Sequence, residues 1–104
     1  MKQFIVLAYD AKDAEAPARR QAARAAHLEL VTKMRKDGKT IFGMALLDDA
    51  GQMIGSMMAL NFNDRAELDA WLAAEPYVTG KVWHDIKVLP SQIPPTFADL
   101  IKKD

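Results

Sequence analysis

The chain contains no cysteine, which excludes disulfide frameworks, thiolate nucleophiles and Cys-based zinc sites together. It has no excess of either charge: 14 Lys+Arg balance 14 Asp+Glu over 104 residues. No general field therefore exists for collecting phosphate backbones or anionic lipid, and no local basic patch replaces it, so nucleic-acid and membrane partners are not expected. No segment approaches the roughly 18 apolar residues of a membrane span, and the chain enters a strand-like run at once, without the basic and apolar segments of a leader. A cytoplasmic protein is the expectation. Gly-rich phosphate loops, GxSxG elbows and dinucleotide fingerprints are all missing, as is any redox-cofactor motif. With two histidines far apart, a metal site is not expected either, and no cofactor is predicted.

What remains is a single domain with half its residues hydrophobic. Gln3 to Tyr9 reads as a first strand, and Ala18 to Lys36, free of Gly and Pro and followed by Gly38, as a long helix. Thr40–Leu47 and Met53–Phe62 flank the turn signal Asp48-Asp49-Ala50-Gly51 and predict a hairpin. Asn63 or Asp64 can cap a second helix, with Glu67 as capping-box partner and Leu68, Trp71 and Leu72 as its apolar stripe, ending at Pro76. Lys81 to Leu89 alternates as a last strand, with Val82, His84, Ile86 and Val88 on one face and Trp83, Asp85, Lys87 and Leu89 on the other. An amphipathic tail helix is expected over about 95–102, around Phe97, Leu100 and Ile101.

The order βαββαβ predicts an α+β, ferredoxin-like sandwich with both helices on one face of an antiparallel sheet. The strands lack the polar alternation of a sheet wetted on one side, since Ile5, Val6 and Leu7 are adjacent, as are Ala45 to Leu47 and Met57 to Leu60. A homodimer with two sheets facing each other satisfies that pattern.

Imidazole chemistry rests on His27 or His84. The spacing Ala23, His27, Leu30, Met34 puts His27 on the sheet-facing stripe of the first helix, either as a core histidine bonded to a carbonyl or as a general base in a partly dry cavity. Arg24, three residues earlier, is either a solvated arginine or an oxyanion holder. Glu75 continues the stripe of the second helix and is held extended by Pro76, as a surface carboxylate or as one that orients an imidazole. Ser56 beside Gly55 is either a strand serine or a hydrogen-bonding partner for a ligand, while Tyr77, Trp83, Phe42 and several methionines serve either the core or the wall of a pocket for a flat ring. His84 and Asp85, adjacent on a strand, point to opposite faces and make no dyad.

The segments Arg24-Ala25-Ala26-His27-Leu28, Phe42-Gly43, Gly55-Ser56 and Glu75-Pro76-Tyr77-Val78 with Gly80 resemble those of the YciI-like family, over roughly residues 1 to 90. The resemblance implies a dimeric α+β barrel and a His-Asp dyad, which falls here on His27 and Glu75, with Glu in the place of the family's Asp. One branch consists of dehydrochlorinases acting on chlorinated hydroxyhydroquinones. The resemblance thus implies a cofactor-independent lyase for a small chlorinated hydroxyquinol or similar cyclic metabolite, with His27, Glu75 and Arg24 in catalysis and Ser56, Tyr77, Phe42 and Trp83 binding substrate. The alternatives are a non-catalytic small-ligand-binding or interaction module and a cofactor-free isomerase or monooxygenase of the same barrel shape.

Overall fold

A computed structural model describes residues 1–101. The elements run β1 (Lys2–Asp10), α1 (Ala16–Lys36), β2 (Thr40–Leu47), β3 (Met53–Phe62), α2 (Arg65–Ala74), α3 (Pro76–Thr79) and β4 (Trp83–Ser91), followed by a 3-10 segment at Pro95–Leu100. The strands form one antiparallel sheet in the order β2-β3-β1-β4, so that β3 lies between the two strands joined by α1. This is the ferredoxin-like α+β arrangement expected from the element order.

Local chemistry explains the boundaries. Pro17 stands in the first turn of α1, where a missing N–H is harmless, and three basic residues occupy its last turn, where they meet the negative end of the helix dipole. Gly38 then turns the chain with φ 78°, a conformation that favours glycine. Asp64 caps α2 by accepting from the Glu67 backbone N–H at 2.8 Å, whereas the Glu67 carboxylate reaches back one residue further than a capping box, to Asn63. Pro76 does end α2, but the chain restarts at once as the single turn α3, which is too short to leave a periodic signature.

Phe4, Val6 and Ala8 of β1 and Met58, Leu60 and Phe62 of β3 are buried and belong to the same core as Leu68, Trp71 and Tyr77. The alternate residues Ile5, Leu7, Met57 and Ala59 form the open face and are half-buried, and Tyr9, Phe42 and Leu89 on that face are exposed. A register shift between Tyr9 and Asp10 corrects the expected faces of β4. Asp10 pairs with Trp83 and Tyr9 with Asp85, so the strand carries one extra residue there. Trp83 thereby joins Ile86 and Val88 on the core side, and His84 is exposed.

The tail is not the regular amphipathic helix expected. Its 3-10 turns break at Phe97 (φ −111°, ψ 17°), and Phe97 is half exposed. The tail packs on its own sheet at the end near Gln3, where the Ile93 N–H donates to Gln3 Oε1 and Arg35 donates to the Leu100 carbonyl. Lys102, which the expected helix included, lies outside the described residues.

Candidate active site

The centre of the molecule holds two polar side chains that an apolar core has to compensate. His27, from the middle of α1, is 6% exposed and Glu75 is fully buried, and His27 Nδ1 lies 2.5 Å from Glu75 Oε1. Glu75 is extended (φ −64°, ψ 127°) because a following proline disfavours the helical region. The same Oε1 accepts the Tyr77 backbone N–H at 3.2 Å, and with Glu75 as a carboxylate, an acceptor only, Nδ1–H donates to it. The added methylene of Glu relative to Asp therefore still lets the carboxylate reach the imidazole directly. Oε2 is buried without a partner among the described residues, so the carboxylate sits in a dry environment.

Three aromatic contacts fix the ring planes. Tyr77 stacks on His27 at 3.9 Å between centroids and 12° between planes, and Trp83 meets the imidazole edge-on at 6.0 Å. Tyr77 and Trp83 also meet each other edge-on at 5.6 Å. Burial pushes the Tyr77 hydroxyl above its ordinary range, against the opposing pull of the Arg20 and Arg24 charges.

A second polar cluster lies about two turns earlier on α1. Arg20 is 7% exposed; its Nη1 donates to both oxygens of Asp10 at 2.9 Å and its Nη2 to Ser56 Oγ at 2.9 Å. Ser56 Oγ also accepts from Trp83 Nε1 at 3.2 Å, and the Arg20 guanidinium lies 4.8 Å from the centre of the Tyr77 ring. Burial raises the Asp10 carboxyl above its ordinary range, with the hydrogen bond and charge of Arg20 acting against that rise.

A cavity of about 140 Å³ opens between α1 and the sheet, lined among others by Arg20, Arg24, His27, Ser56, Met58 and Tyr77. Its size is close to the roughly 150 Å³ that holds a single benzene ring. Since Glu75 occupies Nδ1, Nε2 is the imidazole nitrogen left for a molecule in this cavity. Arg24 stands exposed at its rim with no hydrogen-bond or ion-pair partner among the described residues.

The structure thus brings His27, Glu75, Arg24, Ser56 and Tyr77 to one place. Trp83 lies behind it, against His27 and Ser56. Phe42 does not belong to this cavity: its pairing with Ala59 puts it on the open face, where it borders a separate apolar hollow of about 380 Å³ under the tail. His84 and Asp85 are both exposed beside a wide hollow at Tyr9 to Asp13. Among the described residues no group of three or more His, Cys, Asp or Glu is placed to hold a metal ion. Sequence reasoning missed Arg20 and Asp10. Two signals were available: Arg20, Arg24 and His27 are spaced four and three apart on one helix face, and Asp10 continues the inward alternation of Phe4, Val6 and Ala8.

Among solved structures, the chain is similar to the 5-chloro-2-hydroxyhydroquinone dehydrochlorinase of Burkholderia phenoliruptrix AC1100, determined in complex with 2,5-dihydroxybenzoquinone. The two share 19% identity at a TM-score of 0.72, over 90% of this chain and 97% of the other. A second similar structure is an antibiotic biosynthesis monooxygenase, with 20% identity and a TM-score of 0.53 over 91% of this chain and 100% of that one. At such identities these likenesses speak for the fold. No curated protein sequence matches the chain. The YCII-related domain model matches residues 2–92, and the chain belongs to that family.

Proposed function

We propose that this protein is a cofactor-independent lyase that removes HCl from a small chlorinated hydroxyquinol or a similar ring. The observation that carries this reading is the imidazole of His27, oriented at Nδ1 by the dry carboxylate of Glu75 and lining a cavity the size of one ring. Likeness in fold to a dehydrochlorinase supports the same class of reaction.

In the proposed reaction, Nε2 of His27 takes a proton from a ring hydroxyl. Glu75, accepting the Nδ1–H, holds the tautomer that leaves Nε2 its lone pair and stabilises the imidazolium that forms. The electron pair released from the O–H bond moves into the ring, and the chlorine-bearing carbon takes up a proton to give the keto tautomer. Loss of a second hydroxyl proton then expels the C–Cl pair as chloride, leaving a hydroxyquinone with a C–H bond where chlorine was. One proton and one chloride have left, so the elimination itself balances without an external oxidant. Arg24 at the rim supplies positive charge for the developing oxyanion, and Tyr77 supplies a flat wall against which the imidazole is fixed.

Two copies are proposed to pair through the open face of the sheet, whose exposed Tyr9, Phe42 and Leu89 support that assembly. Chloride release from chlorinated hydroquinones tests the reaction. Wild type is expected to release one chloride per ring consumed, without oxygen uptake, and His27→Ala to lose about 10²- to 10⁴-fold in rate, the usual share of a general base. Saturable binding with no product would instead make the protein a ligand-binding module. Oxygen consumption would place it with monooxygenases.

A further inference from the structure

A serine hydroxyl has one proton to donate and two lone pairs to accept with, and it ordinarily rotates to suit whatever it meets. Ser56 is not free to do so. Arg20 Nη2 and Trp83 Nε1, neither of which can accept, both donate to its oxygen, at 2.9 and 3.2 Å. Both lone pairs are occupied, and Ser56 Oγ donates no hydrogen bond to any of the described residues. The neighbours cannot relax this constraint: Arg20 is held at its other end by both oxygens of Asp10, and Trp83 is buried against His27, Trp71 and Tyr77. Ser56 itself sits on an inner strand and lines the cavity.

From this geometry we propose that Ser56 is a fixed hydrogen-bond donor, set in that role by Arg20, Asp10 and Trp83, so that the cavity selects a single ring presenting an acceptor oxygen, a carbonyl or an oxyanion, to Ser56. The inference rests on the reading of this cavity as a ligand site, and it assigns Arg20 and Asp10 as positioning residues. Arg20 is not the oxyanion holder, because Asp10 already neutralises it; the charge left for an anion is that of Arg24. A bond donated by Ser56 also gains strength from the two bonds its oxygen accepts, since chained hydrogen bonds polarise one another. A ring presenting an N–H at this point meets the Ser56 proton head-on and leaves two donors unpaired, which is how sites of this kind reject a near-isostere.

The test is titration calorimetry of the full chain with single-ring probes, namely 2,5-dihydroxybenzoquinone and benzoate as acceptors and aniline as a donor. Wild type is expected to bind the acceptors and not aniline. Ser56→Ala should weaken the acceptors by about 10- to 100-fold, as loss of one hydrogen bond to a charged group does, and Ser56→Thr should restore them. Trp83→Phe, which frees one lone pair on Ser56, should narrow the gap between acceptor and donor probes, a change that loss of packing alone would not give. It also serves where Ser56→Ala does not fold. Unchanged acceptor affinity in Ser56→Ala, an unchanged gap in Trp83→Phe, or no binding of any oxygen acceptor by wild type would each overturn the proposal. Chloride release run beside the titrations separates it from the reaction proposed above. Ser56-dependent binding without elimination sustains the donor role and removes the lyase, and His27-dependent elimination with unchanged probe affinity in Ser56→Ala does the reverse.

Discussion

The two faces of the sheet are built from alternate residues of the same strands, yet one faces an imidazole held by Glu75, Tyr77 and Trp83 and the other carries half-exposed apolar side chains. On β1, Phe4, Val6 and Ala8 point under the helices and lead to Asp10, which holds Arg20, whereas Ile5, Leu7 and Tyr9 point away. The difference lies in what covers each face. Under α1 and α3, burial is complete enough that every charge needs a partner, and the pairs His27–Glu75 and Arg20–Asp10 are the result. The open face has only the tail along one end, so it retains greasy surface without polar demands.

Met57 and Met58 test this contrast directly, being the same residue type at adjacent positions of β3. Met58 is 3% exposed in the core, and Met57 is half-buried on the open face. Met58→Ala should cost about 2–5 kcal/mol in urea denaturation, as truncation of a buried methionine does. Met57→Ala should cost less than about 1 kcal/mol at concentrations low enough to keep the chain monomeric. If the open face pairs two copies, the Met57 cost should grow with protein concentration while the Met58 cost holds steady. Equal costs at every dilution would mean that the two faces do not differ as described.

Much of the contrast was legible in the sequence. The runs Thr40–Leu47 and Met53–Phe62 match β2 and β3 because turn residues bound them sharply, and the spacing of Ala23, His27, Leu30 and Met34 put an imidazole under α1 because helical period fixes direction. Period two failed at Trp83, since the extra residue opposite Asp10 reverses the parity of the strand's first position and no composition signal marks such a bulge. Arg20 was hidden for a different reason. It stands among basic residues that are solvated on the same helix, and its burial depends on Asp10 and Ser56, which are remote in sequence. Glu75 could be placed at a proline-bound helix end from sequence, but whether it touched His27 depended on about one C–C bond of reach, which only the structure resolves.

The proposed pairing of open faces can be broken by charge. Phe42 and Leu89 are 42% and 44% exposed, one on β2 and the other on β4 at opposite edges of the sheet. Phe42→Lys with Leu89→Lys should leave the monomer fold nearly unchanged, because exposed substitutions away from caps and cores usually cost within about 0.5 kcal/mol. In light scattering the variant should fall from twice the chain mass to once. A wild-type mass of one chain at micromolar concentration would remove the pairing and leave the open face as solvated surface.

The smallest effect concerns two aspartates, each held by an arginine, that differ only in cover. Asp13 lies on the surface, where both of its oxygens accept from Arg19, at 2.7 and 2.8 Å, and Arg19 Nε reaches on to the Lys81 carbonyl. The Arg19 hydrogen bonds hold the Asp13 carboxyl down at about 2. Asp10 meets Arg20 with similar geometry, yet burial raises its carboxyl, because the cost of drying a carboxylate exceeds what one guanidinium returns. The two then pull stability in opposite directions as acid is added. Asp13 has a folded value below its unfolded one, so its contribution is present above pH 3.8 and is lost as the pH falls toward 2. Asp10 has a folded value above its unfolded one, so its contribution is full below pH 3.8 and is lost as the pH rises through the folded value. Carboxyl carbon shifts followed by NMR from pH 6 to pH 2 should show Asp10 protonating well before Asp13. Arg19→Gln should return Asp13 toward the ordinary range while leaving Asp10 where it was, since the surface clasp and the buried one share no atoms. If both aspartates titrated together near 3.8 in the wild type, the difference in cover drawn between the loop and the core would be wrong at its most exposed point.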